Sequence, residues 1–220
     1  MSFSLSKDWE KIQTDQPFNT FPGQWKYKWG IHPINAQMMY NALVMHKPIC
    51  IVETGTFEGH GVYVMAKALS DAHTQCTIHT IDFDGDPLTK EDDASWKELR
   101  DIRNSNLQRI QNLFPLITIH FHDGDSREVL PNLIQQGLKW DFFFQDSMHF
   151  LEGIAKEWEI MKEAANTNAV VVFDDISLGE NLKHPDAPIF CNHFITSDFE
   201  NQWCYRSTDT GHRQFWAQKK

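Results

Sequence analysis

Val52-Glu53-Thr54-Gly55-Thr56-Phe57-Glu58-Gly59-His60-Gly61 is the stretch that decides the fold. Before it, Ile49 to Glu53 is a short apolar run that reads as a buried strand; behind it, Val62 to Leu69 reads as a helix. The glycines let the backbone turn tightly and come close to a ligand. The spacing is not G-x-G-x-x-G, because Phe57 stands where the second glycine would be. The loop also carries Glu53 and Glu58. Carboxylates beside a pyrophosphate would cost Coulomb energy, whereas a ligand with an ammonium or sulfonium group would gain it. A glycine loop alone occurs in many α/β folds, and Gly55 and Gly59 can equally serve only a tight turn. The residues beyond the loop decide between the two.

Working outward, strand and helix patterns alternate. A helix follows Pro33, with Ala36, Met39, Leu43 and Val44 on one side. Thr77 to Asp82 reads as a second strand, Trp96 to Asn112 as a helix and Ile117 to Phe121 as a third strand. Ser126 can cap a helix through Leu133, and Trp140 to Gln145 is a fourth strand. Leu151 to Ala165 has Ile154, Trp158 and Met161 on one helical face, and Ala169 to Phe173 is a β-branched fifth strand. Two more candidate strands, Gln202 to Ser207 and Gln214 to Ala217, flank the turn chemistry of Thr208-Asp209-Thr210-Gly211. The alternation predicts a single Rossmann-like, doubly wound α/β domain: a mostly parallel seven-stranded sheet with an antiparallel C-terminal edge strand. No linker or repeat interrupts it, so residues 31–220 read as one domain behind an extension, residues 1–30, that holds Trp25, Tyr27 and Trp29. The ligand site of such a sheet lies outside the carboxyl ends of the strands, where the strand order reverses.

Bulk properties narrow the partners. The chain has 220 residues and a formal net charge of -10, which disfavours a phosphate backbone as partner. Its four cysteines form no Cys-x-x-Cys pair and read as reduced thiols of a cytoplasmic protein. The N-terminus lacks an apolar signal core, and apolar runs such as Ala169 to Phe173 are too short to span a bilayer. Neither nucleic acid nor a membrane is expected as partner. Asp82 to Asp93 reads as a solvated acidic loop rather than a calcium loop, since the ligand order is wrong.

The strand ends carry the chemistry. Asp82, ending the second strand, can accept protons from both ribose hydroxyls. After the third strand, His122-Asp123-Gly124-Asp125-Ser126 brings Asp125 or Ser126 within reach of an adenine amino group. S-adenosylmethionine has the ribose, the adenine, the ammonium and the sulfonium. The loop resembles motif I of class I S-adenosylmethionine-dependent methyltransferases in its E-x-G-x-x-x-G form. It is closest to small-molecule O-methyltransferases of the catechol type and to bacterial relatives that methylate sugars and natural products. The resemblance covers about residues 30 to 176. It implies that Glu53 contacts the methionine part and that Gly55, Thr56 and Gly59 line the loop. It further implies that Asp82 holds the ribose, that Asp125 and Ser126 lie near adenine, and that Asp146 borders the same cofactor. Gly61 departs from the family's serine, which removes one possible carboxylate contact.

Two acidic strand ends complete the pattern: Gln145-Asp146-Ser147-Met148-His149 and Phe173-Asp174-Asp175. In a doubly wound sheet they are neighbours, and clustered carboxylates call for a cation. Oxygen ligands favour Mg2+ or another divalent cation. The resemblance implies the same, with Asp146, Asp174 and Asp175 as metal ligands. The family often has Asp-Asn where this chain has Asp174-Asp175. Adjacent residues on a continuing strand face opposite sides, so both can ligate only if the strand has turned; otherwise Asp175 can cap the next helix or meet Asp146 through water. His149 stands where the catechol-type pattern has a catalytic lysine and suits a general base near neutral pH. It can also simply cap the following helix. His120 and His122 alternate on a strand, but with neither a cysteine nor a third histidine close in sequence they read as structural.

The expected activity is transfer of a methyl group from S-adenosylmethionine to a hydroxyl of a small molecule, with Asp146 and His149 at the reacting centre. Competing readings are a nicotinamide-dependent oxidoreductase, a non-catalytic cofactor-binding protein, and a hydroxylase like some bacterial relatives that act on antibiotics. The segment Asn181 to Phe194 follows the fifth strand and can border the acceptor, and residues 1–30 can mediate a homodimer.

Overall fold

The computed structural model describes residues 3–13, 31–83, 94–147, 150–174, 198–205 and 213–220. Seven strands form one sheet in the order β3-β2-β1-β4-β5-β7-β6. They are β1 (Cys50–Thr54), β2 (Cys76–Asp82), β3 (Ile117–Asp123), β4 (Trp140–Gln145), β5 (Ala165–Phe173), β6 (Phe199–Tyr205) and β7 (Arg213–Lys219). β1 to β5 are parallel throughout, and β1 lies between β2 and β4. The strand order therefore reverses between β1 and β4, which is where a ligand crevice opens.

The predicted antiparallel strand exists, in a different place. β7 runs antiparallel between β5 and β6, and β6 takes the edge. The reason is burial on both faces: Phe215, Trp216 and Ala217 are all inaccessible to solvent, as an interior strand requires.

Alternation along each strand divides the core into two layers. Ile51, Phe142, Phe144, Val170, Val172 and Trp216 face α2 (Pro33–His46), α3 (His60–Asp71) and α4 (Ala94–Leu113). Val52, Phe143, Val171, Phe173 and Phe215 face α5 (Ser126–Gln135) and α6 (Leu151–Met161).

Three local differences from the sequence expectations have physical causes. Asp125, not Ser126, caps α5: its carboxylate accepts from the Arg127 amide at 2.9 Å, and Ser126 becomes the first helical residue. α6 stops at Met161, passes through a 3-10 turn at Lys162–Ala164, and gives way to β5 four residues before the predicted Ala169. Finally, the N-terminal stretch contains α1 (Leu5–Ile12), whose Leu5 and Ile12 are buried. The Leu5 amide donates to Gln218 Oε1 at 2.6 Å, and Trp9 meets Trp216 edge-on at 6.0 Å, so α1 packs on the C-terminal strands. No described helix is long and apolar enough to cross a membrane.

Candidate active site

The loop between β1 and α3 makes its turn through three residues with positive φ: Gly55 at 91°, Phe57 at 47° and Gly59 at 84°. The residue that breaks the dinucleotide motif thus occupies a left-handed conformation that costs a side chain about 1–3 kcal/mol. Asp82 holds it there, accepting from the Phe57 amide at 2.5 Å and from the Phe83 amide at 2.8 Å. Gly55 has a second constraint. A Cβ at this position would overlap the Asp146 carbonyl oxygen and lie 2.6 Å from its carbon. The β1 and β4 ends therefore pack backbone to backbone, with the Asp146 amide donating to Thr54 O at 2.9 Å. The Asp174 amide donates to Gln145 O at 2.9 Å and brings the β5 end alongside.

Glu53 is 1% exposed and projects from β1 into this junction. Its carboxylate accepts from Thr80 Oγ1 at 2.5 Å, and Thr80 and Thr56 share a further 2.5 Å contact. Burial above all pushes its pKa up to about 8; the Thr80 hydrogen bond opposes the shift, and the charges of Asp146 and Asp82 reinforce it. The folded state thus holds a proton between the ordinary carboxylate range and about pH 8 that the unfolded chain has lost. This contribution favours folding below that window and is lost as pH rises through it. Gly61 leaves room for this Glu53 conformation: a Cβ would overlap Glu53 Oε1 and lie 3.2 Å from Cδ, so the serine of the family pattern would require the Glu53 carboxyl to turn aside.

Other expected site residues take more structural roles. Asp125 forms an ion pair with Arg127 at 2.5 Å besides capping α5. The Ser126 hydroxyl points inward and donates to Glu157. Asp146 is partly buried and Asp174 is 2% exposed, one residue past the paired ends of β4 and β5. Asp174 accepts from Asn35 Nδ2 at 3.0 Å. His149 and Asp175, like Trp25, Tyr27, Trp29 and the segment Asn181 to Phe194, lie outside the described residues. Among the described residues, no group of three or more His, Cys, Asp or Glu is arranged to hold a metal ion.

The sequence model of a methyltransferase domain family matches residues 52–176, from β1 to just past β5. The chain belongs to this methyltransferase family. Solved structures share the fold. An O-methyltransferase, TomG, from Streptomyces achromogenes superposes with a TM-score of 0.67 at 20% identity, covering 87% of this chain and 82% of that one. An O-methyltransferase from Bacillus cereus gives a TM-score of 0.67 at 15% identity, covering 88% and 84%. The Podospora anserina methyltransferase PaMTH1 gives a TM-score of 0.60 at 13% identity, covering 98% and 87%. No curated protein matches in sequence.

Three features of this methyltransferase escape sequence reasoning. Glu157, on α6, is fully buried, and its carboxylate accepts from Ser126, from Ser147 Oγ at 2.7 Å and from Thr54 Oγ1 at 3.2 Å. Burial nevertheless holds its pKa above the ordinary carboxylate value, against hydrogen bonds that include one from Gln145. One side chain thereby ties together the ends of β1 and β4 and the start of α5. A signal existed: Glu157 sits three residues after Ile154 and beside Trp158, within the apolar stripe of the helix. Asn35, 1% exposed, orients Asp174 from α2, and its Oδ1 has no hydrogen-bond partner among the described residues. Arg103 is 2% exposed, lies 4.0 Å from Asp82 and stacks 4.1 Å over the Phe121 ring. Neither residue carries a readable local pattern, because both act across sequence separations that only the fold closes.

Proposed function

We propose that the protein transfers the methyl group of S-adenosylmethionine to a hydroxyl oxygen of a small molecule. The observation that carries this reading is the concentration of carboxyl groups at the switch point: burial raises the Glu53 pKa, and Asp146 and Asp82 lie near enough to reinforce the shift. A pyrophosphate there would meet repulsion; a ligand with ammonium and sulfonium groups would relieve it. This disfavours the nicotinamide reading. The residues present fit such a ligand by their chemistry: Gly55 and Gly61 let the loop close on the Asp146 backbone and on the Glu53 carboxyl, which keeps acidic acceptors together at the strand ends. Solved relatives of the same fold support the cofactor and reaction class: TomG was solved with S-adenosylmethionine and the Bacillus cereus O-methyltransferase with its demethylated product.

S-adenosylmethionine supplies an electrophilic methyl group on a sulfonium centre. In this reading Glu53 pairs with the methionine ammonium, Asp82 accepts from the ribose hydroxyls, and Thr56 lines the loop. Asp125 and Ser126 border the adenine side. The oxygen donors of Asp146 and Asp174, with Asp175, suit Mg2+ or another hard divalent cation, which would acidify the acceptor hydroxyl when bound. His149 takes the hydroxyl proton. His149→Ala is expected to lower kcat by about 100-fold or more with the donor Kd unchanged; turnover at the wild-type rate removes His149 from the mechanism.

Calorimetric titration tests the reading. S-adenosylmethionine should bind and NAD should not. Because the ligand cation favours ionised Glu53, affinity should gain up to about tenfold per pH unit as pH rises toward 8. Glu53→Gln should weaken binding at pH 8 and remove that share of the pH dependence. The ligand's own ammonium titrates identically with both proteins, so the difference in slope isolates Glu53. Identical slopes would mean that Glu53 does not meet the cation, and binding of NAD alone would overturn the function.

A further inference from the structure

β3 is the edge of the sheet, and its outer residues include His120 and His122. The fold adds a third histidine that sequence proximity conceals. His79 on β2 is the register partner of His120. Residues paired across parallel strands, and residues two apart on one strand, share a face. The three imidazoles therefore stand on the same face. The His79 ring stacks on His120 with centroids 5.2 Å apart and on His122 at 5.3 Å, while His120 and His122 are 6.5 Å apart.

Two ring nitrogens already meet: His79 Nδ1 and His122 Nε2 share a hydrogen bond at 3.0 Å, whose proton a bound metal ion would replace. Two imidazole nitrogens bound tetrahedrally to one zinc ion sit about 3.3 Å apart. The pair is thus a few tenths of an ångström from chelating separation. Burial, then the neighbouring imidazoles, lower the pKa of His79 to about 4, and burial lowers that of His122. Both rings are neutral at pH 7, the state that binds metal. The rings as they stand do not enclose a common point, which is why no three-ligand group is arranged for a metal among the described residues. His120 is the ligand that has to move. It is exposed on the outer strand, where rotation about its side-chain torsions can turn its ring toward the other two.

We propose that His79, His120 and His122 form a surface site for a borderline transition-metal ion such as Zn2+, separate from the carboxylate strand ends. Nitrogen ligands select this class of ion, whereas the oxygen donors of Asp146 and Asp174 select hard cations. Bound metal would clamp the edge strand β3 to β2 and stabilise the folded chain by mass action.

The test uses full-length protein without a histidine tag, stripped with chelator and titrated calorimetrically with zinc chloride. One equivalent is expected to bind and to raise Tm. The double variant His79→Gln, His122→Gln should weaken zinc binding by about 100-fold and His120→Gln by about tenfold. These side chains lie on the two outermost strands at this side of the sheet, and an unchanged circular dichroism spectrum and a cooperative thermal transition of the metal-free protein would show that each variant is folded. Asp146→Asn should leave zinc binding unaltered. Absence of zinc binding to the wild type, equal affinity in the double variant, or loss on Asp146→Asn would overturn the site; equal affinity in His120→Gln would overturn the three-ligand assignment.

Discussion

Gly55→Ala lowers the unfolding free energy by about 4 kcal/mol and Tm by about 10 °C. Two costs combine. At a φ of 91° an alanine is strained, and its Cβ would overlap the Asp146 carbonyl group and approach Ser147 N to 2.9 Å. Those atoms are backbone, so relief requires the β4 end to move away from β1, which breaks the hydrogen bond from the Asp146 amide to Thr54 O. Gly137→Ala provides the internal comparison. Gly137 has a φ of 96°, but a Cβ there meets nothing within 4 Å, so only the strain of about 1–2 kcal/mol remains. Urea unfolding of both variants isolates the packing contribution at the switch point. Equal losses would show that the β1 and β4 ends do not pack as described.

Glu157→Ala costs about 3–5 kcal/mol, measured in the same way. It leaves the hydroxyls of Ser126, Ser147 and Thr54 without their common acceptor in a closed space. The loosened ends are those of β1 and β4 and the cap of α5, so affinity for the methyl donor should fall with stability. Glu157→Gln keeps one acceptor oxygen, and the hydroxyls can turn to suit it, so its loss should be smaller. The pH dependence gives the sign. The folded state holds the Glu157 pKa above its ordinary value, so the carboxyl contributes most to folding at low pH, and that contribution declines as pH rises through the raised value. The destabilisation by Gln should therefore shrink as pH increases. A loss that grows with pH would mean that the ionised form is the favoured one inside the fold.

The fold and the placement of the acidic strand ends were legible for a common reason. Burial on both faces makes parallel strands apolar runs, so Ile49 to Glu53 and Trp140 to Gln145 announced themselves within a residue of their observed ends. The α/β alternation located the strand ends, so Glu53, Asp82, Asp146 and Asp174 could be put at or just past the ends of β1, β2, β4 and β5 from sequence alone. The N-terminal α1 was less visible: its eight residues are mostly polar, and Leu5 and Ile12 make sense only against the core they join beside α2 and the C-terminal strands.

The sequence by itself determined the α/β alternation, the glycine turn and the acidic strand ends, because backbone conformation, periodicity and charge are local properties. Only the tertiary structure decided that β7 is interior, that Ser126 turns to Glu157, that Asn35 steadies Asp174 and that His79 joins His120 and His122. Each of these joins residues more than 30 positions apart or depends on which strand lies beside which. Partners of that kind are chosen by packing, register and the need to satisfy buried polar groups, none of which leaves a mark at either residue alone.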